Sequence, residues 1–157
     1  MKLAKTRINA GFTLIELMVA VAILAVLASL ASPSFRQLLA AQRVRATAYS
    51  IVSDLVLARS EAVKRGESVT LTPSTADWAG GWNVKVASSA EVLSAQNGVG
   101  SGVVFTTAPT TITFDRNGRS TSDTVVRFGL SDGSTRWRCI SLDPSGRPKS
   151  ATTECPA

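Results

Sequence analysis

Between Arg7 and Arg36 the chain carries a single charged side chain, Glu16, near the start of an otherwise apolar run from Phe12 to Ala31. Such a run is about long enough to cross a bilayer core of roughly 30 Å as a helix. An ionisable group inside hydrocarbon is costly and needs a partner. Lys2, Lys5 and Arg7 precede the run with no acidic residue. The positive-inside bias then keeps this end cytoplasmic and sends the remainder outward. A cleaved secretory signal is the plainer reading, with Ala28 to Ala31 as its small-residue site. Against it stand the length of the run, the glutamate within it, and a Gly11-Phe12 junction that precedes the run.

Residues 33–157 form one modest domain. The whole chain has 17 basic and 11 acidic residues, a net charge of +6. Without Lys2, Lys5 and Arg7 the balance is 14 against 11, or +3. Histidine is absent, which removes the commonest general base and a common metal ligand. No cofactor or metal is expected. Gly98, Gly100 and Gly102 lack the Lys-Ser/Thr of a phosphate loop. Ser60 and Lys64, four apart on a helix, show no desolvated lysine. The chain is not expected to be an enzyme.

From residue 34 to 65 apolar residues recur at spacings of three and four: Leu38, Ala41, Val44, Ala48, Ile51, Leu55, Ala58 and Ala62. This predicts an amphipathic helix with one buried stripe. Lys64, Arg65 and Gly66 suit its C-terminal end. Pro33 predicts a kink or local melting before it. After Gly66 the period becomes two, giving candidate strands at Ser68–Thr72, Trp82–Val86, Ile112–Phe114, Val126–Leu130 and Arg136–Leu142. Ala79-Gly80-Gly81, Asn97-Gly98, Asn117-Gly118 and Asp132-Gly133 are turn signals between them. Residues 87–102 read as a weak hairpin or mobile loop. The layout is α+β, a long helix on antiparallel β-structure.

The segment GFTLIELMVAVAILAVLASLASPSF resembles the signal of type IV prepilins and pseudopilins. The resemblance implies a leader, residues 1–11, cleaved after Gly11 by a prepilin peptidase, and N-methylation of Phe12. Residues 12–32 would then be the transmembrane and assembly helix, and residues 33–157 a periplasmic domain ending in a tail, 143–157. The protein would sit in the inner membrane with one pass before assembly, and on the cell surface in a pilus afterwards. Glu16 would neutralise the new amino terminus, its own or that of a neighbouring subunit; a glutamate snorkelling to the interface is the alternative.

The motifs LVLARSEAVKRGESVTL, Gly81-Trp82-Asn83-Val84, Phe114-Asp115-Arg116-Asn117-Gly118 and Ile140 to Gly146-Arg147 resemble GspH/FimT-type minor pilins. That family implies a helix with a sandwich of two antiparallel sheets, and a low-abundance subunit whose partners are other pilins. Some FimT-type members bind DNA through a Gly-Arg-x-Arg/Lys motif in the tail, and Gly146-Arg147-Pro148-Lys149 matches it. Arg147 and Lys149 are therefore the expected DNA contacts, with Gly146 letting the backbone turn and Pro148 splaying the cations. Arg116, Arg119, Arg136 and Arg138 are further candidates, and Arg127 adds charge. From Arg116 to Lys149 there are seven basic and three acidic residues. A solvated turn is the plainer reading of the tetrapeptide. Trp137 is a candidate for stacking on a base, or a core residue of its strand. Cys139 and Cys155 lie on the outward side, where an oxidising compartment favours a disulfide over two free thiols. The FimT branch implies DNA uptake in natural transformation; the GspH branch implies a structural part in type II secretion.

Overall fold

The computed structural model describes residues 12–156. Gly11 and the expected leader lie outside the described residues. The chain divides into two units, Met1–Arg36 and Gln37–Ala157. One helix, α1 (Leu14–Arg65), begins in the first and ends in the second.

In the first unit, the side chains described from Phe12 to Ser29 are all exposed. Thr13 and Glu16 close a capping box at the start of α1. The Thr13 N–H and hydroxyl donate to Glu16 Oε2 at 3.3 and 3.2 Å, and the Glu16 N–H donates to Thr13 Oγ1 at 3.3 Å. The spacing Thr-x-x-Glu satisfies otherwise orphaned amides of a first helical turn. Glu16 thus has a partner within its own chain that the sequence reading did not name. The helix runs without a break through Pro33, so the expected local melting is not found. A proline removes one amide donor, and the flanking turns hold the helix across it.

In the second unit, Val44, Ala48, Ile51, Leu55, Ala58 and Ala62 are buried as the stripe predicts. Leu38 is exposed and Ala41 half-buried, so the stripe meets the core only from Val44. The helix ends at Arg65, one residue before Gly66. Two four-stranded antiparallel sheets follow. The first has the order β3-β2-β1-β5, from β1 (Val69–Pro73), β2 (Gly81–Val86), β3 (Val92–Asn97) and β5 (Ile112–Phe114). The second has the order β4-β6-β7-β8, from β4 (Val104–Thr107), β6 (Val126–Ser131), β7 (Trp137–Leu142) and β8 (Pro148–Ala151). This is the expected α+β layout, one long helix with two antiparallel sheets.

Both sheets and α1 share one core. Val69, Leu71, Trp82, Val84, Ile112 and Phe114 come from the first sheet, and Phe128, Leu130, Ile140 and Leu142 from the second. Trp78 lies edge-on to Phe128, 4.8 Å between centroids, and 6.1 Å from Trp82, so the aromatic rings span the two sheets. One carboxylate interrupts the apolar stripe. Asp54 is buried and accepts from Trp82 Nε1 at 2.8 Å and from Ser94 Oγ at 3.0 Å, tying α1 to β2 and β3. A buried polar group needs such partners, and this one has them.

Of the two readings of residues 87–102, the structure has the hairpin: they hold β3, which pairs antiparallel with β2 from Gly81↔Asn97 to Lys85↔Val92. The tail, 143–157, holds a strand that was not anticipated: β8 pairs with β7 from Leu142↔Pro148 to Cys139↔Ala151. Both strands, and β4 which was not anticipated, lie at sheet edges, as does β5. The side chains of β3, β4 and β8 are mostly exposed and carry no clear apolar alternation, whereas β5 buries Ile112 and Phe114.

Candidate functional site

The candidate basic residues fall into groups set by the two ends and the outer face of β7. At the first end lies the turn from Asp143 to Arg147, which joins β7 to β8. The Gly146 N–H donates to the Asp143 carbonyl at 2.8 Å, and the Asp143 N–H to the Arg147 carbonyl at 3.3 Å. Arg147 and Lys149 are exposed on either side of the half-buried Pro148. The Asp143 carboxylate pairs with Lys149 Nζ at 3.0 Å. Arg147 has no ion-pair partner among the described residues. The tetrapeptide is therefore the end of a formed turn and the start of β8, with one paired cation and one that makes no ion pair among the described residues.

Against this turn lies the loop carrying Arg116 and Arg119, both exposed. The Gly118 N–H donates to the Asp115 carbonyl at 2.8 Å, and Asp115 Oδ1 accepts from the N–H groups of Asn117 and Arg119 at 2.9 and 2.8 Å. The Ser120 N–H reaches across to the Pro144 carbonyl at 3.1 Å. The Arg119 and Asn117 amides hold the Asp115 carboxyl below its ordinary value of 3.8. A depressed folded-state value gives stability that is present above the unfolded value and lost as pH falls through the folded one. Thermal melts are expected to show the wild type losing stability below about pH 4, with a smaller loss in Asp115→Asn. Equal acid slopes in the two proteins would count against this turn as the acid-sensitive element.

Arg136 and Arg138 do not join this group. They lie at the other end of β7, roughly 17 Å along a strand of this length. Arg138 donates to Thr152 Oγ1 at 3.3 Å and shares an open cleft with Leu38, Ala41, Arg45 and Trp137. Trp137 is half-buried there and is distant from the tail turn. Arg127, treated in the sequence only as added charge, takes a definite place. The register Arg127↔Ser141↔Lys149 sets it in a row across β6, β7 and β8, on the face opposite the buried Phe128, Ile140 and Leu142. Adjacent-strand spacing puts Arg127 and Lys149 roughly 10 Å apart at the backbone. Alternation from Phe128 was the signal for its outward face; its neighbour needed the register.

Cys139 and Cys155 form a disulfide, 16 residues apart in sequence. It ties the segment after β8 to the outer face of β7. No group of side chains able to hold a metal ion is found among the described residues.

An N-terminal helix that begins apolar and exposed, and ends buried against a pair of antiparallel sheets, defines a type IV pilin-like subunit. Residues 6–32 match the prokaryotic N-terminal methylation motif. Residues 47–146 match the family described as "Type II transport protein GspH", and the chain belongs to that family. It is a minor pilin or pseudopilin of the GspH/FimT type. Two crystal structures of the Pseudomonas aeruginosa (strain PAO1) type IV minor pilin FimU are similar to it. One is 23% identical with a TM-score of 0.56, covering 78% of this chain and 92% of that one. The other is 25% identical with a TM-score of 0.55, covering 71% and 90%. No curated protein matches. Pilin and pseudopilin families are structural, and the methylation motif implies anchoring in a membrane, contact with a prepilin peptidase and assembly with other pilins. Among the described residues no helix is long and apolar enough to cross a membrane.

Proposed function

We propose that this chain is a minor type IV pilin that aids pilus biogenesis and binds DNA, without sequence preference, for uptake in natural transformation. Cleavage after Gly11, methylation of Phe12, a single pass through the inner membrane over residues 12–32 and a periplasmic domain complete the reading. Glu16 serves assembly: its carboxylate, bonded to Thr13 in the single chain, is the group that meets a cationic amino terminus in a filament.

The observation that carries the DNA reading is Arg147, an exposed guanidinium with no ion-pair partner among the described residues, on a hydrogen-bonded turn. A guanidinium binds phosphate bidentately, and neutralising phosphates releases counterions. Because the turn is already formed, little backbone ordering is lost on binding. A mobility shift with the full chain in detergent and a short duplex, at two salt concentrations, tests this. Arg147→Ala is expected to bind about tenfold more weakly at low salt, one charge-assisted hydrogen bond. Lys149→Ala should lose less, since Lys149 must leave Asp143 to reach a phosphate. Full binding by the double variant would refute the tail contact.

The family description favours a second reading, a pseudopilin of type II secretion with a structural role only. Genes for secretion-system components beside this one, and no DNA shift at low salt, would decide for it.

A further inference from the structure

The tail turn has a twin. Asp115-Arg116-Asn117-Gly118-Arg119 and Asp143-Pro144-Ser145-Gly146-Arg147 share the pattern Asp-x-x-Gly-Arg. Their backbones match as well. In each, the glycine N–H donates to the aspartate carbonyl at 2.8 Å, and the aspartate N–H to the arginine carbonyl, at 2.9 Å in the first and 3.3 Å in the second. Gly118 and Gly146 have φ of +72° and +76°, which L side chains rarely adopt. Both glycines are buried, while the arginines that follow them are exposed.

The twins are docked glycine to glycine. A Cβ on Gly146 would strike the Gly118 carbonyl oxygen. Arg59 of α1 lies against both: a Cβ on Gly118 would sit 3.1 Å from its Cγ and 3.3 Å from its Nε, and one on Gly146 would sit 3.4 Å from Nε. A Cβ on Gly118 would also come within 2.8 Å of a Val63 methyl, so that turn packs directly on α1, with the Arg59 side chain beside both glycines. Arg59 is half-buried and makes no ion pair or side-chain hydrogen bond among the described residues. The nearby carboxylates are engaged elsewhere, Asp115 by amides of its own turn and Asp143 by Lys149.

We infer that the twin turns and Arg59 make one phosphate-binding site, in which Arg59, Arg119 and Arg147 grip the same stretch of nucleic-acid backbone. This rests on the DNA reading above and changes its anatomy. The contact is not a tail tetrapeptide but a three-armed site drawn from the helix, the loop after β5 and the tail, with Lys149 subsidiary. Guanidinia suit a phosphodiester because their planar donors match its oxygens. Three on one rigid platform suit a polyanion better than a single small anion. No aromatic side chain belongs to the platform, so it offers phosphate contacts without base stacking, which is sequence-independent binding.

The test uses the full chain in detergent with a duplex of about three helical turns, roughly 30 base pairs, titrated at several salt concentrations, with a thermal melt of every variant. Arg119→Ala and Arg59→Gln are each expected to weaken binding about tenfold and to lower the salt slope by about 0.9, the amount for one phosphate contact. Melting temperatures should stay near wild type, and Arg45→Ala, which is exposed by the cleft at the far end of β7, should bind as the wild type does. If Arg59→Gln melts early, Arg59→Lys replaces it, keeping the charge and losing the planar fork; Arg119→Ala decides the matter in either case. Wild-type affinity and slope in Arg119→Ala, with Arg147→Ala weakened, would overturn the three-armed site and leave the tail reading standing. Equal losses in Arg45→Ala and Arg119→Ala would overturn it in favour of diffuse charge. No shift by the wild type at low salt would overturn both readings.

Discussion

Trp82→Ala is expected to lower stability by about 3–5 kcal/mol, the usual cost of emptying a buried tryptophan site. Trp82 is 1% exposed and packs with Trp78 where the two sheets meet. Its ring N–H is also one of two side-chain donors to the buried Asp54. Alanine therefore leaves a cavity and strips a buried carboxylate of half its side-chain partners, and the second effect adds to the first. Domains of this size are stable by about 5–15 kcal/mol, so the variant would be marginal at best. Trp82→Phe separates the two contributions. It keeps most of the ring volume and loses the hydrogen bond, for about 1–3 kcal/mol. Urea unfolding followed by the remaining tryptophans measures both. A loss below 1 kcal/mol in Trp82→Ala would show that the core can close over the gap, and that Asp54 finds water or another donor.

The second large effect concerns the disulfide. Cys139→Ser with Cys155→Ser opens a loop of 16 residues, worth about 3 kcal/mol in the chain-entropy account. The basic motif owes its order to other contacts. The turn from Asp143 to Arg147 is closed by its own hydrogen bonds, continues the β7–β8 ladder, and rests on Gly118. The disulfide holds the chain beyond Ala151. Removing it should lower the melting temperature and, on the proposed DNA reading, leave the affinity for DNA unchanged at a temperature where the domain is folded. Affinity that falls along with stability would return the motif's order to the staple.

What was legible in the sequence follows what side-chain periodicity can carry. The stripe from Val44 to Ala62 and the end of α1 at Arg65 were plain, because one face of a long helix must be apolar to be buried. The inner strands β1, β2, β6 and β7 alternate for the same reason. Three of the four edge strands, β3, β4 and β8, bury little and left no alternating signature, whereas the fourth, β5, buries Ile112 and Phe114 and was legible. Asp54 was hidden within the stripe, since its fitness for burial depends on Trp82 and Ser94, which are distant in sequence. The capping box was legible as Thr13-x-x-Glu16, but was overshadowed by the question of a charge in an apolar run. Of the candidate site, the residue types were readable and the grouping was not. The repeated Asp-x-x-Gly-Arg pattern is visible in one dimension; the contact between its two copies exists only after both sheets have formed.

β8 is the outermost strand of its sheet, and its first two residues are Pro148 and Lys149. An open strand edge is a template for unwanted pairing with other chains, and proline and lysine are the residues that blunt it, one by withholding an amide and the other by its charge. The same two positions that look like part of a ligand contact thus also guard the monomer against sticking to itself. A subunit that assembles with other pilins has reason to keep that edge closed to unselected partners. Replacing either residue with a strand-forming apolar one would expose aggregation as well as any change in binding, and the two must be told apart by the state of the protein before its affinity is read.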